Sequence, residues 1–567
     1  MQRKINRRKF LKKTAQGFTA VGVGSCGWLL QGCVSKKKFD LVIKDGLVFD
    51  GKGRPGFGAD VGINSNIIEA IGKIDYGQAK TVINARNLAV APGIIDVHDH
   101  TSVELLANPK AESAVHQGVT TTISGNCGES PFPIPRETWE EQKKNLKEKY
   151  DLDLNWQDIQ GFFARLEERG VAFNYATLVG QGTIRGVAMG FKNRKPTSEE
   201  LSKMKMLVAE NIKKGALGLS SGLEYTPSSF ADTSELIELC RVAAPYGGIY
   251  ATHMRDEEDL VLEAVAEALQ IAREAGVKLQ ISHLKVCYPQ NWPKLNSALA
   301  KIELAKKEGI DVFCDRYPYI AASTGLSILF PLWAREGTDE DFLSRLKDTS
   351  LDSKLRASIN DLEKKLGSWD KILISSVASE KNRPIEGKNV LEASKEASKS
   401  VYDFMRDLLI EEKGRVDMVE FVMNEENLKK ILAHPLVGVG SDGSAIAPYG
   451  VLGRGKPHPR HYGTFPRVLG KYVREEKILP LEEMLRKITS LVAQRFGLEK
   501  RGVIERNYFA DLVVFDPNKI IDRATYTNPH QYPQGIEYVL VNGQVVIQNG
   551  EHTGQLPGMI LRKKIKV

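Results

Sequence analysis

Gly93-Ile94-Ile95-Asp96-Val97-His98-Asp99-His100 decides the fold. A short apolar run closes on two imidazoles, and the period of two in an extended chain turns both to one side. Seven further runs of the same build follow: Gly118–Cys127, Phe173–Gly180, Gly215–Gly222, Gly247–His253, Lys278–His283, Asp311–Tyr317 and Leu436–Asp442. Amphipathic helical stretches separate them, which is the pattern of parallel βα units. Eight such strands close a barrel, so the fold class is α/β, a (β/α)8 TIM-like barrel. Most intervals fit one helix with its loops. The last interval, from Tyr317 to Leu436, is far longer. Its charged, helix-rich interior from Arg335 to Lys365 and an extra strand at Lys371–Val377 predict an inserted lid subdomain at about 330–420.

Outside the barrel the idiom changes to short alternating strands. Phe39-Asp40-Leu41-Val42-Ile43, Val61-Gly62-Ile63 and Ile67–Gly72 precede it, and Ala510–Asp516 and Val539–Val546 follow it. These predict a small β-sandwich domain built from both chain ends, residues 39–92 and 496–567, around a barrel spanning 93–495. Hydrophobic residues make up 42% of the 567 and charged ones 26%, enough for a large core and against global disorder.

The net charge of +8 is unevenly placed. Ten of the 79 Lys and Arg lie in residues 1–38 with no acid, so the remaining 69 face 71 Asp and Glu. The body is close to neutral, which removes the electrostatic case for a nucleic-acid partner. Six scattered cysteines do not make a disulfide scaffold. Two of them fall in the first 33 residues, where Asn6-Arg7-Arg8-Lys9-Phe10-Leu11, a glycine-rich apolar run from Gly17 to Leu30, and Leu30-Gln31-Gly32-Cys33 occur in that order. The run is too short and weak for a transmembrane helix. Residues 1–33 resemble a twin-arginine export signal ending in a lipoprotein cleavage box, with Gln31 the least usual residue in it. The expectation is a periplasmic protein or a membrane-anchored lipoprotein, whose contact with the membrane is a lipid on Cys33.

Chemistry in a βα barrel sits at the C-terminal ends of the strands. Five of those ends carry metal-ligand residue types: His98 and His100, Cys127, His253, His283, and Asp442. Four imidazoles, a thiolate and a carboxylate suit a borderline metal, zinc first, as one ion or two. A single buried His or Cys is usually packing, but five strand ends meeting at one mouth make a site. His116, His434, His530 and His552 do not fall at strand ends and read as scaffold. Cys240, Cys287 and Cys314 sit in apolar or helical settings and read as inert. His458 and His461 stay open between the two readings.

Several longer stretches narrow the reading. They are Ala91-Pro92-Gly93-Ile94-Ile95-Asp96-Val97-His98-Asp99-His100, Gly125-Asn126-Cys127-Gly128, Leu219-Ser220-Ser221-Gly222-Leu223-Glu224-Tyr225, Thr252-His253-Met254-Arg255, Ser282-His283-Leu284-Lys285, Tyr317-Pro318-Tyr319, Ser441-Asp442-Gly443, His458-Pro459-Arg460 and Gly463-Thr464-Phe465-Pro466-Arg467. From about Phe39 to near the C-terminus the chain resembles the amidohydrolase superfamily and, within it, the D-aminoacylase (N-acyl-D-amino-acid deacylase) family. The resemblance implies Cys127, His253 and His283 as ligands of a tightly held zinc, and His98 and His100, with Cys127 as a bridge, as a weaker second site. It implies Asp442 as the catalytic acid/base. Lys285, Tyr317, Ser323 and Arg460 become the group that grips the α-carboxylate of a small-molecule substrate. Two departures stand out: Gln181, where that loop would carry His, and a long stretch between Asp442 and Arg460.

Cyclic-amide hydrolases such as hydantoinases and dihydroorotases share the barrel but bridge two metals with a carboxylated Lys on the fourth strand. Here that strand, Gly215–Gly222, has no Lys. A dipeptidase for D-residue-containing dipeptides and a binding module without catalysis are the other readings. The sequence leaves side-chain specificity and the oligomeric state undetermined.

Overall fold

The computed structural model describes residues 38–565, so the export segment and Cys33 lie outside the described residues. All eight expected strands are present: Ile94–Asp96, Val119–Ser124, Asn174–Thr177 continued by Val179–Gly180, Gly218–Gly222, Ile249–His253, Lys278–Ile281, Val312–Arg316 and Val437–Val439. Their pairings are parallel throughout. The ring closes between the eighth strand and the first, where Asp442 N donates to His98 O at 2.8 Å and His100 N donates to Gly443 O at 2.7 Å. Covering helices are set by ordinary signals. Thr197 and Glu200 form a capping box at Ser198–Lys213, and Asp232 caps Thr233–Ala243.

The third strand is interrupted at Leu178, and the C-terminal tail fills the gap beside it. Tyr175 N donates to Met559 O, Leu561 N to Tyr175 O, and Lys563 N to Gly215 O. The tail is thus part of the barrel wall, a role that its basic, non-alternating sequence does not announce.

The two chain ends join through Leu512–Phe515, which runs antiparallel to Ala89–Pro92. The result is nine hydrogen-bonded strands that fork at Phe39–Val48, whose first half pairs with Ala79–Asn84 and whose second half pairs with Ala89–Pro92. Ile43, Val61, Val90, Leu512 and Leu540 fill a core shared by both ends. The lid is a three-stranded antiparallel sheet, Ala322–Gly325, Val416–Glu420 and Ile372–Val377, with helices Asp339–Lys347, Asp352–Leu366, Val390–Glu396 and Val401–Glu411. It has its own core around Trp369, Leu355, Met405 and Met418. It begins at Ala322, earlier than the expected boundary near 330, because Ala322-Ser323-Thr324-Gly325 pairs through its backbone and carries no apolar alternation. Ser323 therefore belongs to the lid sheet.

Candidate metal centre

His98 and His100 follow the first strand, and Asp96 ties that strand to the eighth by accepting from His98 N at 3.2 Å and Ser441 N at 2.9 Å. Cys127 is turned inward by a tight loop. Its own φ is +51°, and Gly125 and Gly128 beside it are also positive. A Cβ on Gly128 would lie 2.7 Å from Gly222 N, so the loop packs against the fourth strand only with glycine there. His283 at φ +33° and Asp442 at φ +52° are left-handed too. Three non-glycine residues in that sparse region, all facing one mouth, mark strain held for a site.

The donor atoms converge. Cys127 Sγ is 3.5 Å from Nε2 of both His98 and His283. Asp442 Oδ1 is 3.0 Å from His100 Nε2 and 3.3 Å from His98 Nε2. His98, Cys127, His283 and Asp442 each offer a ligand atom within 4.8 Å of the others, and so do His253, Glu257 and His283 as a second group. His283 belongs to both. Both ring nitrogens of His253 are buried without a hydrogen-bond partner, although Glu224 Oε2 lies 3.2 Å from Nε2 outside hydrogen-bond geometry. Burial resists the Cys127 thiolate, but the surrounding His98, His100, His253 and His283 hold it well below the usual thiol range. Orphaned imidazole nitrogens beside a stabilised thiolate and carboxylates are a donor set that fits zinc.

Cys127, His253 and His283, the set that the resemblance implies for the tight zinc, lie against one another, and His98, His100 and Asp442 close around the same sulfur and imidazoles. Barrel closure explains this, because the backbone bond from Asp442 to His98 brings together residues 344 apart in sequence. Asp442 stands at ligand distance as well as in position to handle a proton.

Three buried or half-buried carboxylates not singled out in the sequence hold the imidazoles. Asp315 Oδ1 is 3.0 Å from His98 Nδ1 and accepts from His283 N at 2.8 Å. Glu257 Oε1 is 3.1 Å from His283 Nδ1, and Glu224 faces His253. Such partners fix the tautomer and ring orientation of a metal ligand. Asp315 could have been found, since an acid inside Val312-Phe313-Cys314-Asp315 has no place in a purely structural strand. Glu257 and Glu224 follow strand ends in loops, where acids are ordinary.

The four residues expected to hold a carboxylate line one chamber of about 650 Å³ with the ligands. Lys285 forms an ion pair with Glu257, and its Nζ is 2.8 Å from His283 Nδ1. Arg460 Nη1 is 2.8 Å from Asp442 Oδ2, its Nη2 donates to Ser323 O at 3.3 Å, and its guanidinium lies 5.0 Å from the Tyr317 ring centroid. Ser323 Oγ is spent on Met418 O at 2.9 Å. Arg460 Nε and the Tyr317 hydroxyl are buried donors with no partner. They are what an incoming carboxylate would satisfy. Burial opposes charge on Asp442, but Arg460, His283, His98 and His100 hold its carboxyl well below the usual range.

The two departures resolve differently. Gln181 is buried away from this chamber, its amide donating to Glu235 Oε1 at 2.9 Å and its carbonyl accepting from Ser228. The long stretch after Asp442 turns back through Ser444, whose N donates to His461 Nδ1 at 2.8 Å, and delivers Arg460 at the first turn of helix Arg460–Arg467. His461 lines the chamber, and burial with Arg460 beside it pushes its pKa down to about 3. His458 is scaffold, receiving Arg460 N at 2.9 Å. Cys287, read from the sequence as inert, lines the chamber, and burial pushes its thiol well up.

Residues 397–547 match the model of an amidohydrolase family. The D-aminoacylase of Alcaligenes xylosoxydans xylosoxydans is 35% identical over 530 residues, 93% of this chain and 98% of that protein. The N-acyl-D-glutamate deacylase of the same organism is 35% identical, covering 94% of this chain and 98% of the relative. Among solved structures, the N-acyl-D-glutamate deacylase of Bordetella bronchiseptica, complexed with zinc and a phosphonate mimic of the tetrahedral intermediate, aligns with a TM-score of 0.79. It shares 32% identity over 93% of this chain and 100% of that one.

Proposed function

The chain belongs to the amidohydrolase superfamily and, within it, to the D-aminoacylase family, and from that premise we propose that it is a zinc-dependent N-acyl-D-amino-acid deacylase. It hydrolyses the amide bond and releases a D-amino acid and a carboxylic acid. The observation that carries the reading is the position of Asp442, with Oδ1 against the imidazoles of the metal quartet and Oδ2 against Arg460.

Zinc held by His98, Cys127 and His283, with His253 at the second group, would polarise the acyl carbonyl and lower the pKa of water to roughly 7. Everything else falls to the protein. Arg460 Nε and the Tyr317 hydroxyl, with the Lys285 charge beside them, receive the substrate's α-carboxylate and so fix the scissile amide against the quartet. Asp442 begins ionised, because Arg460 and the imidazoles keep its carboxyl low despite burial. Its Oδ1 takes the proton of the attacking water and returns it to the amide nitrogen, which otherwise departs as a very poor anion. Arg460 holds Oδ2 meanwhile, so the carboxylate keeps its aim.

The test is amine release from N-acetyl-D- and N-acetyl-L-amino acids by zinc-loaded protein, across a panel of side chains. Hydrolysis confined to D-substrates is expected; no release from any D-substrate rejects the reading. As to location, the reading is export by a twin-arginine-like signal in residues 1–33, with Cys33 as lipid acceptor in a periplasmic or membrane-anchored protein. The paired Arg7-Arg8, the apolar run and Gly32-Cys33 in that order support it.

A further inference from the structure

The lid brings to the metal chamber a carboxylate that the deacylase chemistry does not use. Glu420 ends strand Val416–Glu420, the middle strand of the lid sheet, with Ala322 and Ile372 as its partners on either side. Antiparallel partners stand about 5 Å apart, so Glu420 lies one strand's width from Ala322-Ser323, where the Ser323 carbonyl receives Arg460. Its side chain lines the chamber. Among the described residues its one hydrogen bond comes from the Tyr288 hydroxyl, to Oε1 at 2.7 Å, and no cation pairs with it. Tyr288 N donates to Val422 O at 2.9 Å, so the carboxylate is held at a fixed seam between lid and barrel. Burial, with Glu224 adding to it, pushes this carboxyl up to about 7 against the Tyr288 hydrogen bond and the Lys285 charge. That is the behaviour of an acid without a counter-charge.

The chamber's own cations are spent elsewhere. Lys285 is paired with Glu257 and Arg460 with Asp442. Lys365 is half-exposed and bonded to Asp259, with Glu258 3.7 Å away. Arg335 donates Nε to Phe330 O at 2.9 Å and Nη1 to Glu224 O at 3.1 Å, and so fastens the lid to the barrel through backbone. The missing charge is therefore one for the substrate to supply. With the α-carboxylate on Arg460 and Tyr317 and the amide over the quartet, two parts of the substrate remain to be housed. The acyl group has a space of its own, because a second cavity of about 1130 Å³ adjoins the chamber at His100 and Ser444. The D side chain is left to face the lid. There Ile328, Leu329 and Leu362 line the chamber and suit a run of methylenes, while Glu420 suits a charged tip.

We propose that Glu420 receives a cationic side chain of the substrate, so that this protein prefers N-acyl-D-amino acids bearing an ammonium or guanidinium on an apolar stem, of the D-lysine and D-arginine type. Glu420 is thereby a specificity-determining residue. The proposal rests on the deacylase reading of the metal centre and narrows it; the bond cleaved is the same. Tyr288 keeps Oε1 of Glu420, and the incoming cation takes Oε2 in a charge-assisted hydrogen bond. A neutral side chain leaves Glu420 unpaired. An anionic one meets Glu420, Glu258 and Glu224 as like charges.

The experiment assays zinc-loaded wild-type and Glu420→Gln proteins, with zinc content measured in each. The substrates are the Nα-acetyl derivatives of D-lysine, D-arginine, D-norleucine and D-glutamate, and D-lysine acetylated on both nitrogens. Wild type is expected to cleave the D-lysine or D-arginine derivative with a kcat/KM about tenfold or more above that for D-norleucine, which has the stem without the charge. Acetylation of the side-chain nitrogen should abolish the advantage, a comparison that needs no variant. In Glu420→Gln the ratio of cationic to D-norleucine substrate should fall about tenfold, mainly through KM, with zinc retained. No advantage for either cationic substrate in wild type overturns the proposal and leaves the deacylase reading standing. A preference for N-acetyl-D-glutamate also overturns it and gives the pocket to Arg335. A ratio unchanged in Glu420→Gln overturns the role of Glu420. Cleavage of none of the substrates overturns the deacylase reading, and the proposal with it.

Discussion

Glu257→Gln keeps the shape of a buried side chain and removes one charge from the floor of the site. Glu257 is the ion-pair partner of Lys285, which is itself only 5% exposed. The substitution leaves that ammonium facing His283 Nδ1 alone. Breaking a buried pair from one side costs about 3–5 kcal/mol. At about 2.1 cal/mol/K per residue, unfolding entropy for a chain of this length is roughly 1.2 kcal/mol/K, so Tm should fall by about 2.5–4 °C. Glu257 also lies 3.1 Å from His283 Nδ1 and 3.7 Å from His253 Nε2. Loss of a carboxylate that orients two ligands should weaken zinc binding about 10- to 100-fold. Thermal unfolding followed by fluorescence reads the first effect, and zinc titration against a competing chelator reads the second. Glu257→Gln combined with Lys285→Met removes the orphaned cation, and should recover most of the stability but none of the zinc affinity. The pH dependence has a definite sign. Burial resists the Glu257 charge, yet Lys285, His253 and His283 hold its carboxyl well below the usual range. Its contribution is therefore present above the ordinary glutamate pKa of about 4.3 and is lost as pH falls below it. The Tm gap between wild type and Glu257→Gln should narrow in that acid window. Glu257→Gln with wild-type Tm and wild-type zinc affinity would refute the reasoning.

Asp442→Asn cannot accept a proton, so turnover should drop about 10²–10⁴-fold with zinc retained; near-normal turnover would remove Asp442 from the mechanism, and a metal-free protein would make it a ligand first. Cys127→Ala should lose most of its zinc, because its thiolate sits among four imidazoles. His98→Ala should lose about as much as His283→Ala, since both stand 3.5 Å from that sulfur; retention of one tight zinc in His98→Ala would refute this and assign that zinc to Cys127, His253 and His283. Changing Arg7 and Arg8 to Lys should block export, and Cys33→Ala should move the protein from a membrane fraction to a soluble exported one; normal export of the double-Lys protein would discard the twin-arginine reading.

The barrel was legible because its strands are buried on both faces and so read as continuous apolar runs ending in chemistry. Ile94–Asp96, Ile249–His253 and Lys278–Ile281 all lie within the ranges expected. What escaped was pairing that depends on backbone alone. Ala322–Gly325 joins the lid sheet without an apolar residue larger than alanine. The Pro557–Lys563 tail enters the barrel wall by bonds from Tyr175 and to Gly215. Neither event leaves a periodic trace in the side chains. The joining of Leu512–Phe515 to Ala89–Pro92 was visible only as two β-rich segments of like character at opposite ends.

At the site the asymmetry is chemical. Imidazoles and a thiolate at strand ends are rare enough to announce themselves; carboxylates are not, because an acid in a loop is usually solvated. Yet acids give this centre its order. Asp315 clamps His98 and the backbone of His283, Glu257 neutralises Lys285, and Asp442 neutralises Arg460. The two cations read from sequence as substrate clamps are therefore already engaged, each on a carboxylate that touches the metal group. A substrate carboxylate does not meet free charges. It enters by taking the unspent donors, Arg460 Nε and the Tyr317 hydroxyl, and by drawing on cations that also steer Asp442 and Glu257. Binding and proton transfer thus share the same few groups, so that a substitution aimed at one will register in the other.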